Sequence, residues 1–483
     1  MYRVPSPAPT QRLSLRFDGG RLLLSLPPGE ALPPEFESHF VPDHRLPGCW
    51  STEAFQYRTV REQLGEALLD DAAPLEIAPF SVDLSVLLPT GATLHAYQER
   101  AIDAWWQMGG CGLVVAPTAA GKTAILAAAI DKCQQQTLVI APTIPLAQQL
   151  YSQLRQAADV PVGLFLTHTK DIQPITVTTY HSAPFLHREQ GRRWGLIVFD
   201  EVHHLPGPSF QLGARMAVAP YRLGVTATPE RDPERAAILR ECVGPVAYSV
   251  TLAELQEVEA IAPYLVSQIE VDLTPDERQT YDQSQQQVNR FIEHHNISPD
   301  RSLGYFEPLR RLSWKSQEGK GAFRAYQEMR RVAERCEQKW EVLRQLLLKH
   351  ADEKVIIFCP GKAEAYRLSQ EYLIPAITSD FATPAKREEL LDLFRYGEVK
   401  ALAAVETLDE GVSIPQASVA IYLAGSGQNR QMVQRLGRVL RKAEGKEMAM
   451  FYEIIAADTV EVKKSARRRQ GLGEDQPFQP NLF

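Results

Sequence analysis

Short apolar runs separated by helical stretches recur along most of this chain, and that alternation restricts the possible folds more than any other feature. Gly112–Ala116, Thr137–Ala141, Ile175–Thr178, Leu196–Phe199 and Arg222–Val225 form a first series. Lys354–Phe358, Ile374–Thr378, Ala401–Val405, Val419–Leu423 and Ala449–Ile455 form a second. Strands that alternate with helices assemble into parallel sheets, because each crossover connection carries a helix. Two series imply two α/β domains in tandem. A length of 483 residues allows about three domains, each able to bury its own core.

The remainder lies before and between the two series. Twelve of the 34 prolines precede Gly91. The runs Leu13–Phe17 and Arg21–Leu26 flank Asp18-Gly19-Gly20, which predicts a β-hairpin. A helical pattern from Glu53 to Leu69 places Ala54, Tyr57, Leu64 and Leu68 on its apolar positions. Residues 1–90 therefore read as a small α+β domain. A polar, mostly helical insertion spans about 274–349.

Charge limits the choice of partner. The chain carries 52 basic and 59 acidic residues, a net −7, so a uniformly basic nucleic-acid coat is excluded and any such binding must use local surfaces. Between Glu307 and Lys349, 11 Lys/Arg oppose 6 Glu, a local +5. That segment is either a solvated helical face or a surface for a phosphate backbone. The basic stretch Lys463–Arg469 carries the same two readings, with a disordered tail the plainer one. Hydrophobic residues at 44% exclude wholesale disorder. None of the six cysteines forms a CxxC pair, so reduced thiols in an intracellular compartment are expected. No apolar run is long enough to span a bilayer, and the start lacks a signal-peptide hydrophobic region. The expected location is cytoplasmic, with no membrane partner.

Chemistry concentrates at two strand ends. Leu113-Val114-Val115-Ala116-Pro117-Thr118-Ala119-Ala120-Gly121-Lys122-Thr123 reads as strand, phosphate loop and helix start, followed by the helical run Ala124–Ile130. The loop residues Pro117, Thr118, Ala119, Ala120 and Gly121 would surround phosphate oxygens, which backbone amides at a helix start favour. Lys122 would reach the β- and γ-phosphates of ATP, and the Thr123 hydroxyl would bind Mg²⁺. Ala116 stands where the usual pattern has glycine. Asp200 follows Lys122 by 78 positions, at the end of the apolar run 196–199, with Glu201 beside it. Asp200 is placed to hold Mg²⁺, and Glu201 to accept the proton of an attacking water. Hydrolysis also requires positive charge at the γ-phosphate. Arg438 and Arg441, three apart in Gln434-Arg435-Leu436-Gly437-Arg438-Val439-Leu440-Arg441, can supply it from one helical face of the second α/β domain.

These motifs, in this order, resemble a superfamily-two helicase, and more closely the XPB-type DNA-dependent ATPases in their shorter prokaryotic form. The resemblance rests on Leu94-His95-Ala96-Tyr97-Gln98, the phosphate loop, Ala141-Pro142-Thr143, Thr178-Thr179-Tyr180 and the DEVH box at 200–203. It continues through Thr226-Ala227-Thr228-Pro229, Leu408–Pro415 and the QRLGRVLR run. It covers roughly Leu94 to Arg469. It implies an α/β fold of two RecA-like parallel-sheet domains, at 91–255 and 256–483, the second with a helical thumb-like insertion. The N-terminal domain stands where the family has a damage-recognition domain.

By the same resemblance, Gln98 reads the adenine edge and Gly411 lines the nucleotide side of the cleft. His203 couples γ-phosphate status to the second domain, with Gln434. Thr226 and Thr228 link hydrolysis to strand movement, and Thr143, Thr179 and Tyr180 contact the DNA backbone. The family pattern is altered at His95, at Ser413 and at Arg231-Asp232-Pro233, where a duplex-opening Arg-Glu-Asp triad is usual. The implied activity is ATP- and Mg²⁺-dependent translocation on single-stranded or forked DNA, 3′ to 5′, in DNA repair. The implied enzyme is a monomer, and a separate nuclease chain is one partner. An RNA-dependent ATPase and an ATP-gated DNA clamp without processive unwinding remain alternatives.

Overall fold

Both apolar series become seven-stranded parallel sheets in the computed structural model. The structure describes residues 13–27, 31–32, 34–64, 68–88, 93–299, 305–378, 380, 383–405, 417–423, 448–469 and 478–480. They divide into two compact units, one drawn from Met1–Ala116 and Gly121–Val250, the other from Pro117–Ala120 and Thr251–Phe483.

The first unit opens with an antiparallel hairpin of β1 (Leu13–Asp18) and β2 (Arg21–Ser25), paired Asp18 to Arg21. Gly19 and Gly20 both have positive φ, which the tight turn requires. β3 (Val41–Pro42), β4 (Cys49–Glu53) and β5 (Leu68–Asp70) complete a sheet in the order β3-β4-β2-β1-β5. Of the helix expected over 53–69, α1 covers Tyr57–Leu64; Glu53 ends β4, Ala54–Gln56 form a 3-10 turn, and Leu68 and Leu69 pair with the hairpin in β5. Leu15, Leu22, Leu24, Phe36, Phe40 and Tyr57 form this small core, which Val218 joins from beyond the first 90 residues. Arg215 reinforces that seam, bonding Glu53 at 2.7 Å and Glu241 at 2.6 Å. Arg58 donates to the Gly109 carbonyl at 2.6 Å.

The first parallel sheet contains β6 (Cys111–Val115), β7 (Thr137–Ala141), β8 (Val162–Phe165), β9 (Ile175–Thr179), β10 (Leu196–Asp200), β11 (Tyr221–Thr226) and β12 (Val246–Ser249). Their order is β12-β6-β11-β10-β7-β9-β8. β6 and its sequence successor β7 are thus separated by β11 and β10, which makes a switch point of the kind where α/β sheets bind ligands. Val115 pairs with Thr226, and Asp200 with Val225, so the carboxyl ends of β6, β11 and β10 emerge at one edge. Helices α2 (Ala96–Gln107), α3 (Lys122–Cys133) and α4 (Ile144–Ala157) flank these strands. Nine of the twelve α3 residues are buried, as expected of a helix packed on most of its circumference.

The second sheet contains β13 (Tyr264–Val271), β14 (Val355–Phe358), β15 (Ala376–Ile377), β16 (Ala401–Ala404), β17 (Val419–Tyr422), β18 (Ala449–Ala456) and β19 (Phe478–Pro480), in the order β15-β16-β14-β17-β18-β13-β19. It therefore begins before the helical insertion, not at Lys354. The insertion holds α5 (Pro275–His294), α6 (Phe306–Ser313), α7 (Gln317–Arg335) and α8 (Glu337–Lys349). α5, α6 and α7 share a small core of Val288, Phe291, Leu309, Ala322 and Ala325. α8 packs Trp340, Leu343 and Leu346 onto the sheet's own core. The basic stretch Lys463–Arg469 is not a tail: it forms most of α9 (Val460–Arg469), whose Glu461 is buried against Lys339 of α8.

Candidate active site

The sequence builds the phosphate loop from two constraints. The chain leaves β6 with Ala116 fully buried, its amide donating to the Thr226 carbonyl at 2.8 Å. It enters α3 through Gly121 at φ +65°, a left-handed conformation that disfavours a side chain. A Cβ on Gly121 would also lie 2.7 Å from Gln98 Nε2. The first amides of α3 have no acceptor within the helix, and the helix dipole adds partial positive charge there. Thr118 Oγ1 is buried with no hydrogen-bond partner among the described residues.

β10 delivers the acidic pair. Asp200 and Glu201 are both buried, and Glu201 has φ +46°, a backbone state that costs a non-glycine residue free energy. Lys122 Nζ, itself buried, pairs with Glu201 Oε1. Glu201 Oε2 lies 3.4 Å from His203 Nδ1, beyond a good hydrogen bond. His203 Nδ1 is 3.2 Å from Thr226 Oγ1, and the Thr226 hydroxyl donates to the Thr228 carbonyl at 3.2 Å. That donation makes the His203 nitrogen the donor toward Thr226. One polar chain therefore runs from the phosphate loop through Glu201 and His203 to Thr226 and Thr228.

Electrostatics separate the two acids. Burial and the neighbouring Glu201 carboxylate push Asp200 up from the usual carboxylate range. Burial also opposes ionisation of Glu201, but the Lys122 ammonium and the His203 contacts outweigh it and hold Glu201 low. Glu201 is thus kept as a carboxylate, while at Asp200 the Lys122 charge only partly offsets burial and the Glu201 carboxylate. Among the described residues no group of three His, Cys, Asp or Glu side chains could hold a metal alone. A Mg²⁺ held by one or two protein ligands plus phosphate oxygens suits such a site. The free helix amides, the orphan Thr118 hydroxyl, Lys122 and Asp200 together fit a nucleoside triphosphate with a divalent cation.

The other expected residues divide three ways. Gln98 is buried on α2, and its Oε1 accepts from the His95 amide at 2.9 Å. Thr123 is half-buried one residue after Lys122. Thr143 is half-buried, and its buried Oγ1 lacks a partner among the described residues. Thr179 and Tyr180, expected at the DNA backbone, are both buried. Thr179 is 4% exposed and its Oγ1 is 3.2 Å from Ser182 Oγ. Tyr180 is wholly buried, and its hydroxyl donates to the Asp200 carbonyl at 2.9 Å. It props the acidic strand end. Gly411, Ser413, Gln434, Arg438 and Arg441 lie outside the described residues.

Arg235 escaped the sequence reading. Asp232 caps the helix that follows Thr228, accepting from the Glu234 and Arg235 amides, and the Arg235 guanidinium donates to the His203 carbonyl at 2.8 Å. Its only signal is an arginine three places after that helix cap.

Residues 91–231 match the family model described as type III restriction enzyme, res subunit, and residues 338–443 match the helicase conserved C-terminal domain. The chain is 34% identical to "DNA 3'-5' translocase XPB2" of Sulfurisphaera tokodaii, over 90% of this chain and 99% of that protein. It is 30% identical to "DNA 3'-5' helicase XPB" of Mycobacterium tuberculosis, over 80% of this chain and 64% of that one. Among solved structures, the S. cerevisiae Dbp5 complex with RNA and ADP BeF3 aligns with a TM-score of 0.54 at 15% identity, covering 84% of this chain and 94% of that one. At that identity the likeness shows the fold alone.

Proposed function

The chain belongs to the XPB-type DNA helicases of superfamily two, and on that premise we propose how its residues hydrolyse ATP and couple hydrolysis to DNA. The observation that carries the reading is the polar chain Lys122–Glu201–His203–Thr226 at one sheet edge.

The α3 amides and Lys122 hold the triphosphate of ATP. Thr123 and Asp200 would hold Mg²⁺, which would neutralise phosphate charge when bound. Lys122 exchanges Glu201 for the phosphates, which frees the Glu201 carboxylate to take the proton of the attacking water. His203 and Thr226 pass the state of Glu201 to the segment ending at Thr228, and Arg235 fixes the His203 backbone. Gln98 acts beside the adenine and Gly411 in the cleft. Arg438 and Arg441, with Gln434, supply the positive charge for the transferred phosphoryl group from the second α/β domain. Repeated cycles move the protein 3′ to 5′ along single-stranded or forked DNA, held in part by Thr143.

We further propose three domains, at 1–90, 91–255 and 256–483, acting as a cytoplasmic monomer in DNA repair, with a separate nuclease chain as partner. Among the described residues, no helix is long and apolar enough to cross a membrane.

The mechanism is tested by Glu201→Gln. The variant should bind ATP with near wild-type affinity by titration calorimetry, while ADP release falls by at least about a hundredfold. Near-normal turnover would remove Glu201 from the base role.

A further inference from the structure

The corner between α6 and α7 carries a side chain that the fold does not use. Trp314 closes α6 at φ −81° and ψ −17°, still helical, and is 83% exposed. Every other described tryptophan is at most 37% exposed. A side chain of this size usually stabilises a protein by burial, and here almost none is gained.

The corner itself is built firmly. Leu309 of α6 is fully buried in the core shared by α5, α6 and α7. Ser316 Oγ accepts from the Gly319 amide at 2.9 Å and caps α7. A Cβ on Gly319 would come within 2.4 Å of the Leu312 carbonyl oxygen, so α7 starts in close contact with the end of α6. The indole is therefore presented from a fixed point.

Its surroundings are cationic. Arg310 and Arg311 precede Trp314 by four and three residues, which puts all three on neighbouring positions of one helical face. Both guanidiniums pair with the single carboxylate of Glu307, at 2.9 and 3.2 Å, so the trio keeps a net positive charge. Lys315 adds another exposed cation. Glu318 is also exposed, with a carboxylate oxygen 3.5 Å from His295 Nε2. Residues 315–318 are all exposed and polar, so the chain that follows Trp314 adds no apolar surface to it. An exposed aromatic face beside cations matches an unpaired nucleic-acid base between phosphates.

We propose that Trp314 is a stacking platform for an unpaired base of single-stranded DNA, with Arg310, Arg311 and Lys315 gripping the adjoining phosphates. The inference rests on the DNA-translocase reading and names the residue that holds the strand on the second unit.

The test measures binding of the full-length protein to a labelled single-stranded DNA oligonucleotide, and to an oligonucleotide of equal length made of abasic residues, by fluorescence anisotropy at one salt concentration. Trp314→Ala should weaken binding to the base-containing strand by about 5- to 100-fold and leave the abasic strand unchanged. Trp314→Phe should recover most of the loss. The melting temperature of Trp314→Ala should match wild type, since the side chain is exposed. Equal affinity of wild type and Trp314→Ala for the base-containing strand overturns the proposal and leaves a protein partner as the occupant. An equal loss on both oligonucleotides also overturns it, because phosphates alone would then carry the grip. ATPase measured alongside separates the two readings. A base-dependent loss without DNA-stimulated ATPase in wild type removes the motor reading and keeps the platform. Strong stimulation with no base-dependent loss does the reverse.

Discussion

Single residues at the strand ends do more than their motif letters imply. Glu201 occupies a left-handed backbone state, and that places its carboxylate within reach of both Lys122 and His203. The acidic pair and the lysine were legible in the sequence because phosphate chemistry demands those residue types at strand ends. The burial of Tyr180 was not, since a Thr-Thr-Tyr run is equally compatible with a surface and with a core. Its hydroxyl bond to Asp200 leads to a prediction. Tyr180→Phe should leave a buried carbonyl without its donor and cost about 1 kcal/mol of stability in urea unfolding. DNA affinity should stay unchanged, and a clear loss of affinity would return Tyr180 to the DNA surface. His203→Ala should keep ATP binding and lose most of the DNA stimulation of hydrolysis, because it breaks the link from Glu201 to Thr226. Stimulation equal to wild type in a steady-state assay would rule that link out.

At the scale of elements, strands with a continuous apolar run were legible and those with a broken or polar one were not. β13 carries Ser267 and Gln268, buried yet polar, which interrupt its apolar run. β8 is broken by Gly163, β12 is exposed or half-buried along its length and β19 holds a glutamine and a proline, so none carries a continuous apolar run. The α9 helix hid behind its basic composition. Its anchor is the pair of Lys339 and Glu461 at 2.6 Å, where Lys339 also donates to the Leu423 carbonyl at 2.8 Å. Removing one partner of a buried pair strands the other, so Lys339→Met should destabilise the second unit by about 3 kcal/mol in urea unfolding. A change below about 1 kcal/mol would mean that water already reaches the pair.

His187, on the short helix Ala183–Gln190, makes a different prediction. Its Nε2 is 2.9 Å from the Gly213 carbonyl, and burial pushes its pKa down to about 3. Below the ordinary histidine pKa of about 6.5 the unfolded chain takes up a proton that the folded chain does not. Stability should therefore fall as pH drops from about 6.5 toward 4, with this group contributing at most about 1.4 kcal/mol per pH unit. His187→Gln should flatten that slope, and identical slopes would show that the ring titrates freely in the folded state.

At the scale of the whole molecule, two parallel sheets follow from the two apolar series, with a helical insertion after the first strand of the second sheet, and family membership follows from the motifs set at the strand ends. The first 90 residues were legible as a hairpin-based module, but not their attachment. Arg215 and Val218 lie in a segment with no pattern of its own, and their role emerges only once Glu53 and the hairpin core are beside them. The central claim is that the sheet-edge chain from Lys122 to Thr228 serves a DNA motor. The most direct measurement is the steady-state ATPase rate of the intact protein with no nucleic acid, with single-stranded DNA, with forked DNA and with RNA of matched length. The account predicts a low basal rate, a several-fold rise with both DNAs and a much smaller response to RNA. A rate indifferent to every polymer, or one raised by RNA alone, would contradict it.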